Sequence, residues 1–424
     1  MDTSADTTIP VLQMQNFYFP ALGMLLCLLL HLYIYKAFLK GLATSRLFRS
    51  FWLVLSLMNM VGCILYFVFM RSSITSQALY FLVSLNVGVV FCLFVITVLY
   101  QLCSLGILFM RAKKSRAKAR FYLRRFMGIL ALVFVIYAIA NGTRYPQVHE
   151  ISLRIQGLQD ELKIVQLSDI HIGGLIESTH VRQIVASSNA LKPDIVFLTG
   201  DIVDSQLQNV LGAVDELKNL SARYGIYYVL GNHEYFHDVK AIMQKFKSLG
   251  FVVLENDALK VETHSGEIII AGIRDLVGVR EAFAHLELKP NLKEALSKAK
   301  MLSSFLNPNP KSAYKESESK DSQIPVILLS HQPKIVDELN TLALTQPQLL
   351  ENLSLILSGH THGGQIFPFS LLVLLQQPHI KGLFELTLGS SLKTWLYINQ
   401  GTGYWGPPMR VGTESEITLI RLKS

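Results

Sequence analysis

Two histidines separated by one residue, His360 and His362, lie in the segment SGHTHGGQ at residues 358–365. An apolar run of strand length precedes the segment, and its two glycines allow the backbone to turn sharply. Residues two apart at a strand end can direct both imidazoles to one point, and neutral imidazole nitrogens bind Zn, Mn, Fe or Ni. The pair alone is also compatible with unrelated histidines in a polar loop, so the interpretation depends on the other strand ends.

Four further apolar runs end in polar side chains of the same kind. The polar residues at these ends are Asp169 and His171, Asp201 and Asp204, Asn232 and His233, and His331. In α/β sheets, ligands bind at the carboxyl ends of the strands, so five such runs predict one shared site. Carboxylate, carboxamide and imidazole donors without a thiolate favour Mn, Fe or Zn over a structural zinc–cysteine site.

Alternating strand and helix patterns must position these residues. Strand-like apolar runs recur between residues 150 and 420, with helix-like segments such as 179–191 and 239–249 between several of them. This alternation predicts an α/β domain over residues 144–424 with both sheet faces covered. Residues 302–324 are polar, contain Pro and Ser and lack apolar periodicity, which predicts a mobile surface insertion.

The first third of the chain predicts an all-α domain of four transmembrane helices. The 424-residue sequence is 50% hydrophobic and 17% charged, with a mean hydropathy of +0.36. Residues 1–143 account for these values, because they contain the long apolar runs at about 17–35, 51–70, 79–110 and 123–140. A buried globular helix is the alternative for the last run alone. All four cysteines lie in these runs, so neither disulfides nor thiol chemistry is expected in the second domain.

Basic residues predict the orientation in the membrane. Residues 36–50 carry four Lys and Arg side chains, and residues 111–125 carry eight. The positive-inside rule places both segments in the cytoplasm, and residues after 140 on the outer, periplasmic or extracellular, side of a cytoplasmic or plasma membrane. The formal net charge is +8, but residues 126–424 are mildly acidic, so no nucleic-acid partner is expected.

The order of the motifs resembles that of the calcineurin-like metallophosphoesterases. The motifs are Asp-x-His at 169–171, Gly-Asp-x-x-Asp at 200–204, Gly-Asn-His-Glu at 231–234, His331, and Gly-His-x-His at 359–362. The likeness covers roughly residues 150–424. The closing segment and the membrane-spanning front resemble the membrane-associated phosphodiesterase branch, which includes transmembrane proteins with a metallophosphoesterase domain. The resemblance implies an α/β fold built as a four-layer α/β/β/α sandwich, with two divalent metal ions, Mn, Zn or Fe, over the strand ends.

The resemblance also assigns the site residue by residue. One ion would be held by Asp169, His171, Asp201 and His362, and the other by Asp201, Asn232, His331 and His360. Asp201 would bridge the ions, and a hydroxide between them would attack phosphorus. His233 would stabilise developing charge or protonate the leaving alkoxide, with Asp204 orienting its imidazole. An ordinary turn carboxylate is the alternative for Asp204.

These implications predict a membrane-anchored, metal-dependent phosphoesterase. The expected substrate is a phosphodiester or pyrophosphate, in a small molecule or a lipid-linked compound, because the anchor confines the site near headgroups. A phosphomonoesterase or a protein phosphatase is the alternative within this class, and a non-catalytic membrane receptor or scaffold with a retained metal site is the alternative outside it. Glu234 is a candidate brace of the local backbone without a catalytic role. Asp275 occupies a similar strand end, where the family signature does not make it a ligand, and is a candidate supporting group.

Overall fold

The computed structural model describes residues 8–69, 77–304 and 324–424, so most of the predicted insertion at 302–324 lies outside the described residues. The chain divides into two compact units. The helical unit comprises the chain up to Arg144 together with Trp405–Val411. The α/β unit comprises Tyr145–Tyr404 and Gly412–Ser424.

Four long helices make up most of the helical unit, and each is long and apolar enough to cross a membrane. Their bounds are α1 Thr8–Ala37, α2 Arg46–Phe69, α3 Gln77–Ile107 and α4 Lys113–Gly142. Helix α4 begins about ten residues before the apolar run at 123–140. The intervening residues contain Lys, Arg and Ala, which favour helix, and no Pro or Gly, so most of the basic segment is helical.

The segment Trp405–Val411 packs within the helical unit, although it is distant from the helices in sequence. The backbone N–H of Arg410 donates to the carbonyl of Ala138 over 2.9 Å. The side chain of Asn141 donates to the Arg410 carbonyl over 3.2 Å. A Cβ atom at Gly142 would lie 2.5 Å from the Met409 backbone, so glycine is required for this close approach.

Twelve strands in the described residues form the two sheets of the α/β unit. In chain order they are β1 Gln147–Arg154, β2 Leu162–Leu167, β3 Ile195–Thr199, β4 Ile226–Val229, β5 Val252–Val253, β6 Asp257–Thr263, β7 Gly266–Gly272, β8 Val326–Leu329, β9 Leu353–Ser358, β10 Gly382–Leu388, β11 Leu392–Ile398 and β12 Glu416–Lys423. The first sheet has the order β1-β12-β2-β3-β4-β5, and the second has the order β10-β11-β9-β8-β7-β6. Strands β2, β3 and β4 run parallel, as do β7, β8, β9 and β11.

Helices flank the two sheets. They are α5 Ser178–Ala190, α6 Leu207–Asp215, α7 Val239–Ser248, α8 Leu292–Ser304, α9 Ile335–Thr345 and the short α10 Ser370–Val373. Side chains from both sheets, among them Phe197 and Leu355, share one buried cluster, so the sheets pack face to face. A second buried cluster joins α8 and α9 to the other face of the second sheet. Tyr228 on β4 stacks on Phe246 of α7, on the outer side of the first sheet. The predicted α/β/β/α sandwich is confirmed.

Apolar runs identify the central strands of both sheets but not β6 and β10. These two strands form the edges of the second sheet and pair antiparallel with β7 and β11. Exposed and half-buried residues alternate along most of β10, as expected when only one face of an edge strand is covered. A search for continuous apolar runs therefore cannot detect them.

Candidate metal centre

The loops that follow five parallel strands carry the predicted site residues. Three of these strands, β2, β3 and β4, belong to the first sheet, and two, β8 and β9, belong to the second. Their carboxyl ends bring ligand-type side chains from both sheets into two groups whose candidate ligand atoms lie within 4.8 Å of one another. The groups are Asp169, His171 and His362, and Asp201, His331 and His360. A third group of the same kind, His171, Asp201 and His233, connects the first two.

The first group joins the loops after β2 and β9. The Nε2 atoms of His171 and His362 are 3.0 Å apart. The carboxylate of Asp169 completes the group, with Oδ1 3.4 Å from His362 Nε2 and 4.0 Å from His171 Nε2. All three side chains are buried. The group therefore presents two imidazole nitrogens and a carboxylate oxygen to one small volume.

The second group joins the loops after β3, β8 and β9, and Asn232 from the loop after β4 lies beside it. His331 Nε2 lies 3.1 Å from Asp201 Oδ2 and 3.2 Å from Asn232 Oδ1. The other ring nitrogen of His331 lies 2.8 Å from the carbonyl of Thr199, to which it donates when protonated. This hydrogen bond fixes the tautomer and leaves Nε2 as a donor atom for a metal.

His233 and Asp204 form a pair beside the two groups. His233 Nδ1 lies 2.7 Å from Asp204 Oδ1, and the same oxygen lies 3.2 Å from His237 Nε2. The second oxygen of Asp204 is 3.4 Å from His171 Nδ1. Asp204 therefore contacts three imidazoles, which a turn carboxylate without a structural role would not do. His237 is a contact that the motifs did not indicate.

Charge around this pair favours a protonated His233. Burial alone would lower the pKa of its imidazole, but the carboxylates of Asp204 and Asp201 outweigh burial and raise the pKa to about 10. For Asp204, burial would raise the pKa of the carboxyl, yet the His233 charge and hydrogen bonds from the histidines hold that pKa well below its ordinary value. In the metal-free chain, both shifts favour an imidazolium paired with a carboxylate.

Five of the seven predicted ligands have a left-handed backbone. Their φ angles are 51° for Asp169, 55° for His171, 51° for Asp201, 71° for His360 and 49° for His362. Residues other than glycine seldom adopt these φ angles, and such backbone strain is typical of functional sites. Hydrogen bonds hold the strained loops, because Gly403 donates to the Asp169 carbonyl over 3.0 Å and Asp169 donates to Gly200 over 3.0 Å.

Glu234, a candidate brace from its position in the motif, braces the backbone of two ligand loops. Its buried carboxylate accepts hydrogen bonds from four backbone N–H groups, those of Asp201, Ile202, Val203 and Gly231, over 2.7–3.2 Å. These groups belong to the loops after β3 and β4. A Cβ atom at Gly231 would overlap the Asp201 side chain, so the two loops can approach only because this position is glycine.

Asp275 follows β7 and supports the site indirectly. Its Oδ1 accepts from the Gln332 side chain over 2.8 Å, and Gln332 is the neighbour of His331. Its Oδ2 is buried and has no hydrogen-bond partner within the described ranges. Burial raises the pKa of this carboxyl to about 6, against a smaller lowering by the His331 charge.

Gln166 joins the two sheets beneath the site and was not among the residues predicted from the sequence. Its side-chain amide donates to Thr199 Oγ1 and to the Ser358 carbonyl, both over 2.9 Å. Thr199 and Ser358 end the strands that precede Asp201 and His360. The available signal was the one uncharged polar residue in the otherwise largely apolar run LKIVQL.

The donor set fits a pair of divalent metal ions. Two imidazole nitrogens that face each other at 3.0 Å can share at most one proton, and a cation between such nitrogens removes the conflict. His360 Nδ1 is buried and has no hydrogen-bond partner among the residues that the structure describes. Burial lowers the pKa of His360 to about 3, so its imidazole is neutral, as metal coordination requires.

Comparisons with known proteins agree with this geometry. The family model described as calcineurin-like phosphoesterase matches residues 162–364. An uncharacterized metallophosphoesterase of Campylobacter jejuni is 30% identical over 93% of this chain and 95% of its own length. A transmembrane protein with metallophosphoesterase domain from Danio rerio is 34% identical over 70% of this chain and 61% of its own length. An uncharacterized metallophosphoesterase of Helicobacter pylori is 34% identical over 84% of this chain and 85% of its own length.

Proposed function

Because this chain belongs to the calcineurin-like metallophosphoesterase family, we propose that it is a membrane-anchored phosphodiesterase that depends on two metal ions. The observation that supports the proposal most strongly is the pair of ligand groups connected through Asp201, with His233 beside them. Residues 1–143 are proposed as the membrane domain and residues 144–424 as the catalytic domain. The metals are proposed to be Mn, Zn or Fe, which accept mixed oxygen and imidazole ligands.

The metal ligands are proposed from the two groups. One ion would be held by Asp169, His171, Asp201 and His362, and the other by Asp201, Asn232, His331 and His360. Asn232 belongs to this set because its side-chain oxygen lies 3.2 Å from His331 Nε2. When bound, the ions would neutralise phosphate charge and lower the pKa of a water molecule that attacks phosphorus.

The protein's own acid is proposed to be His233. Its imidazolium, held by the 2.7 Å hydrogen bond to Asp204, can donate a proton from Nε2 to the leaving oxygen as the phosphorus–oxygen bond breaks. Asp204 fixes the ring orientation and stabilises the charged form. The proton then returns from water, because the charge of Asp204 continues to favour the imidazolium.

The substrate is proposed to be a phosphodiester or pyrophosphate in a lipid-linked compound. Four candidate membrane helices tether the catalytic unit, so substrates within the bilayer surface are always close to the site. The two basic segments lie between successive membrane helices and at their adjoining ends, and the positive-inside rule then supports a catalytic unit on the outer side of the membrane.

The test is metal-dependent hydrolysis of bis(p-nitrophenyl) phosphate by the full chain in detergent. Protein stripped of metal should be inactive, and Mn, Zn or Fe should restore activity while two ions bind per chain. Asp201→Asn should lower the number of bound ions and the rate together, because it weakens the ligand shared by both ions. If the stripped chain regains two ions and hydrolyses neither this diester nor p-nitrophenyl phosphate, the proposal is wrong and a non-catalytic role is favoured.

A further inference from the structure

An exposed apolar surface follows the metal-binding motif directly in sequence. It consists of Phe367, Leu371, Leu372, Leu374 and Leu375, which are 47–80% exposed, and we call it the apolar ridge. It surrounds α10 and begins five residues after His362. Phe369, which is 43% exposed, lies within the same segment, whereas Leu211 and Leu344 are exposed singly elsewhere in the α/β unit. Contiguous exposed apolar surface of this kind marks a contact with a partner or a membrane.

The ridge is joined firmly to the ligand loop. Ile366 and Gln377, at its two ends, are buried, and the Gln377 side chain accepts from the backbone N–H of Lys334 over 3.0 Å. The carbonyl of Gln365 accepts from Thr413 Oγ1 over 2.9 Å. The ridge is therefore an anchored projection that presents leucines to the surroundings.

The composition of the segment suits a phospholipid surface. Residues 359–382 contain no Asp or Glu, and Lys381 is their one Lys or Arg side chain. Anionic headgroups would meet no carboxylate there, whereas leucine and phenylalanine side chains can enter the acyl boundary. The chain also keeps a bilayer within reach, because Thr143 and Arg144 alone separate α4 from the first residue of the α/β unit.

We propose that the apolar ridge is a membrane-docking surface, which inserts its leucines into the bilayer that the helices cross and holds the metal centre at headgroup level. A phosphate at the headgroup of a membrane lipid would then reach the ligands without the lipid leaving the bilayer. This second part depends on the proposed phosphodiesterase function, whereas bilayer contact does not.

The first experiment measures bilayer contact without catalysis. Leu372→Cys, in a Cys103→Ser background, is labelled with an environment-sensitive fluorophore and placed in nanodiscs of phosphatidylcholine and phosphatidylglycerol. Cys103 is exposed, and the other three cysteines are buried. Doxyl-labelled lipid should quench the probe at position 372 strongly. The matched control is Leu344→Cys on α9, at a leucine that is 75% exposed, where no quenching is expected. If quenching at position 372 is no stronger than at position 344, the proposal is overturned and a protein partner for the ridge is favoured.

The second experiment compares two substrates with the same leaving group. Hexadecyl p-nitrophenyl phosphate is placed in the nanodisc, and bis(p-nitrophenyl) phosphate is added to the solution. In Leu372→Ser/Leu375→Ser, the ratio of lipid to soluble hydrolysis should fall about tenfold, because two leucines no longer bind the bilayer. Leu344→Ser should keep the ratio. An unchanged ratio in the double variant contradicts the delivery of substrate by the ridge. If the unaltered chain hydrolyses neither substrate, the proposed function is wrong, and the quenching experiment still decides bilayer contact.

Discussion

Two polar clusters, one in each unit, satisfy their polar atoms in different ways. In the helical unit, His31, Asn59 and Asn86 connect α1, α2 and α3. His31 Nε2 lies 2.8 Å from Asn59 Oδ1, and Asn59 Nδ2 donates to Asn86 Oδ1 over 2.8 Å. Both ends of this hydrogen-bonded series reach helix carbonyls. His31 Nδ1 lies 2.6 Å from the Cys27 carbonyl, and Asn86 Nδ2 donates to the Leu82 carbonyl over 2.6 Å.

The metal centre shows the opposite arrangement. Its imidazole nitrogens face each other, five of its side chains stand on left-handed backbone, and His360 Nδ1 lacks a hydrogen-bond partner in the part of the chain that the structure describes. A cluster that closes its own hydrogen bonds on regular helices stabilises packing. A cluster that keeps a strained backbone and polar atoms without hydrogen-bond partners is instead explained by a bound ligand. The presence of clustered histidine and amide side chains alone would not separate the two.

The largest effect that sharpens this contrast is expected for His233→Ala. Loss of the proposed acid should lower kcat by about 10³-fold, within the range for general acid catalysis. The number of bound metal ions should change little, since His233 is outside the proposed ligand set. The measurement is kcat for bis(p-nitrophenyl) phosphate together with metal content per chain.

His237→Ala is the matched control for that experiment. It removes a histidine that also contacts Asp204 Oδ1, at the longer distance of 3.2 Å, but leaves the His233–Asp204 hydrogen bond in place. Its kcat should fall far less than that of His233→Ala. If the two variants lose activity equally, His233 has no special role and the site depends on Asp204 alone.

The next effect concerns pH and Asp275. The pKa of this carboxyl is about 6 in the folded chain, above its ordinary value of 3.8, so the folded chain binds the proton more tightly. Protonated Asp275 therefore stabilises the fold most below pH 4, and its contribution to the free energy of unfolding is lost as the pH rises through 6. The expected loss is about 3 kcal/mol over the whole titration, of which about 2.4 kcal/mol falls between pH 4 and pH 7. It is measured in metal-free protein by urea unfolding followed by tryptophan fluorescence.

Asp275→Asn is the reference variant for this dependence of the unfolding free energy on pH. The amide does not titrate, so the difference in unfolding free energy between the variant and the unaltered chain should change with pH by the same amount. A difference that stays constant from pH 4 to pH 7 would mean that Asp275 is already ionised in the folded protein. Its buried Oδ2 would then have a solvent or ionic partner.

The central strands of the α/β unit could be predicted from the sequence because strands buried on both faces consist of continuous apolar residues. Strands such as β3 and β9 are buried on both faces and read as apolar runs. The polar residues at their ends interrupt that pattern where the chain leaves the sheet. The positions of Asp201 and His360 at strand ends could therefore be predicted from the sequence alone. The edge strand β10 has one covered face and gave no such run.

Other features depend on distant parts of the chain and could not be predicted. Gln166 binds Ser358, nearly two hundred residues away, and the sequence contains no sign of which strands will face each other. Met409 and Arg410 pack beside Ala138 and Gly142 for the same reason. The left-handed backbone at His171 or His362 was equally hidden, because these residue types normally avoid it.

A smaller effect, on stability, is expected from metal removal. Ions that bind only the folded α/β unit should stabilise it by about 2.7 kcal/mol at a concentration one hundred times the dissociation constant. Chelation should therefore shift urea unfolding of this unit to lower concentration, while unfolding of the helical unit by sodium dodecyl sulfate should not respond. A response of the helical unit instead would show that its own polar cluster binds the metal.

The smallest effect is expected in the helical cluster, for Asn59→Leu. The substitution removes the partner of His31 Nε2 and the donor to Asn86 Oδ1. Hydrogen bonds between membrane helices contribute on average about 0.6 kcal/mol, so the free energy of unfolding in sodium dodecyl sulfate should fall by about 1 kcal/mol. Thr97→Val is the control, because Thr97 Oγ1 donates to the Leu93 carbonyl of its own helix. Metal-dependent hydrolysis should be unchanged in both variants. If Asn59→Leu abolishes hydrolysis while the chain stays folded, the helical cluster participates in the reaction, and a closed hydrogen-bond network is not sufficient to identify a purely structural site.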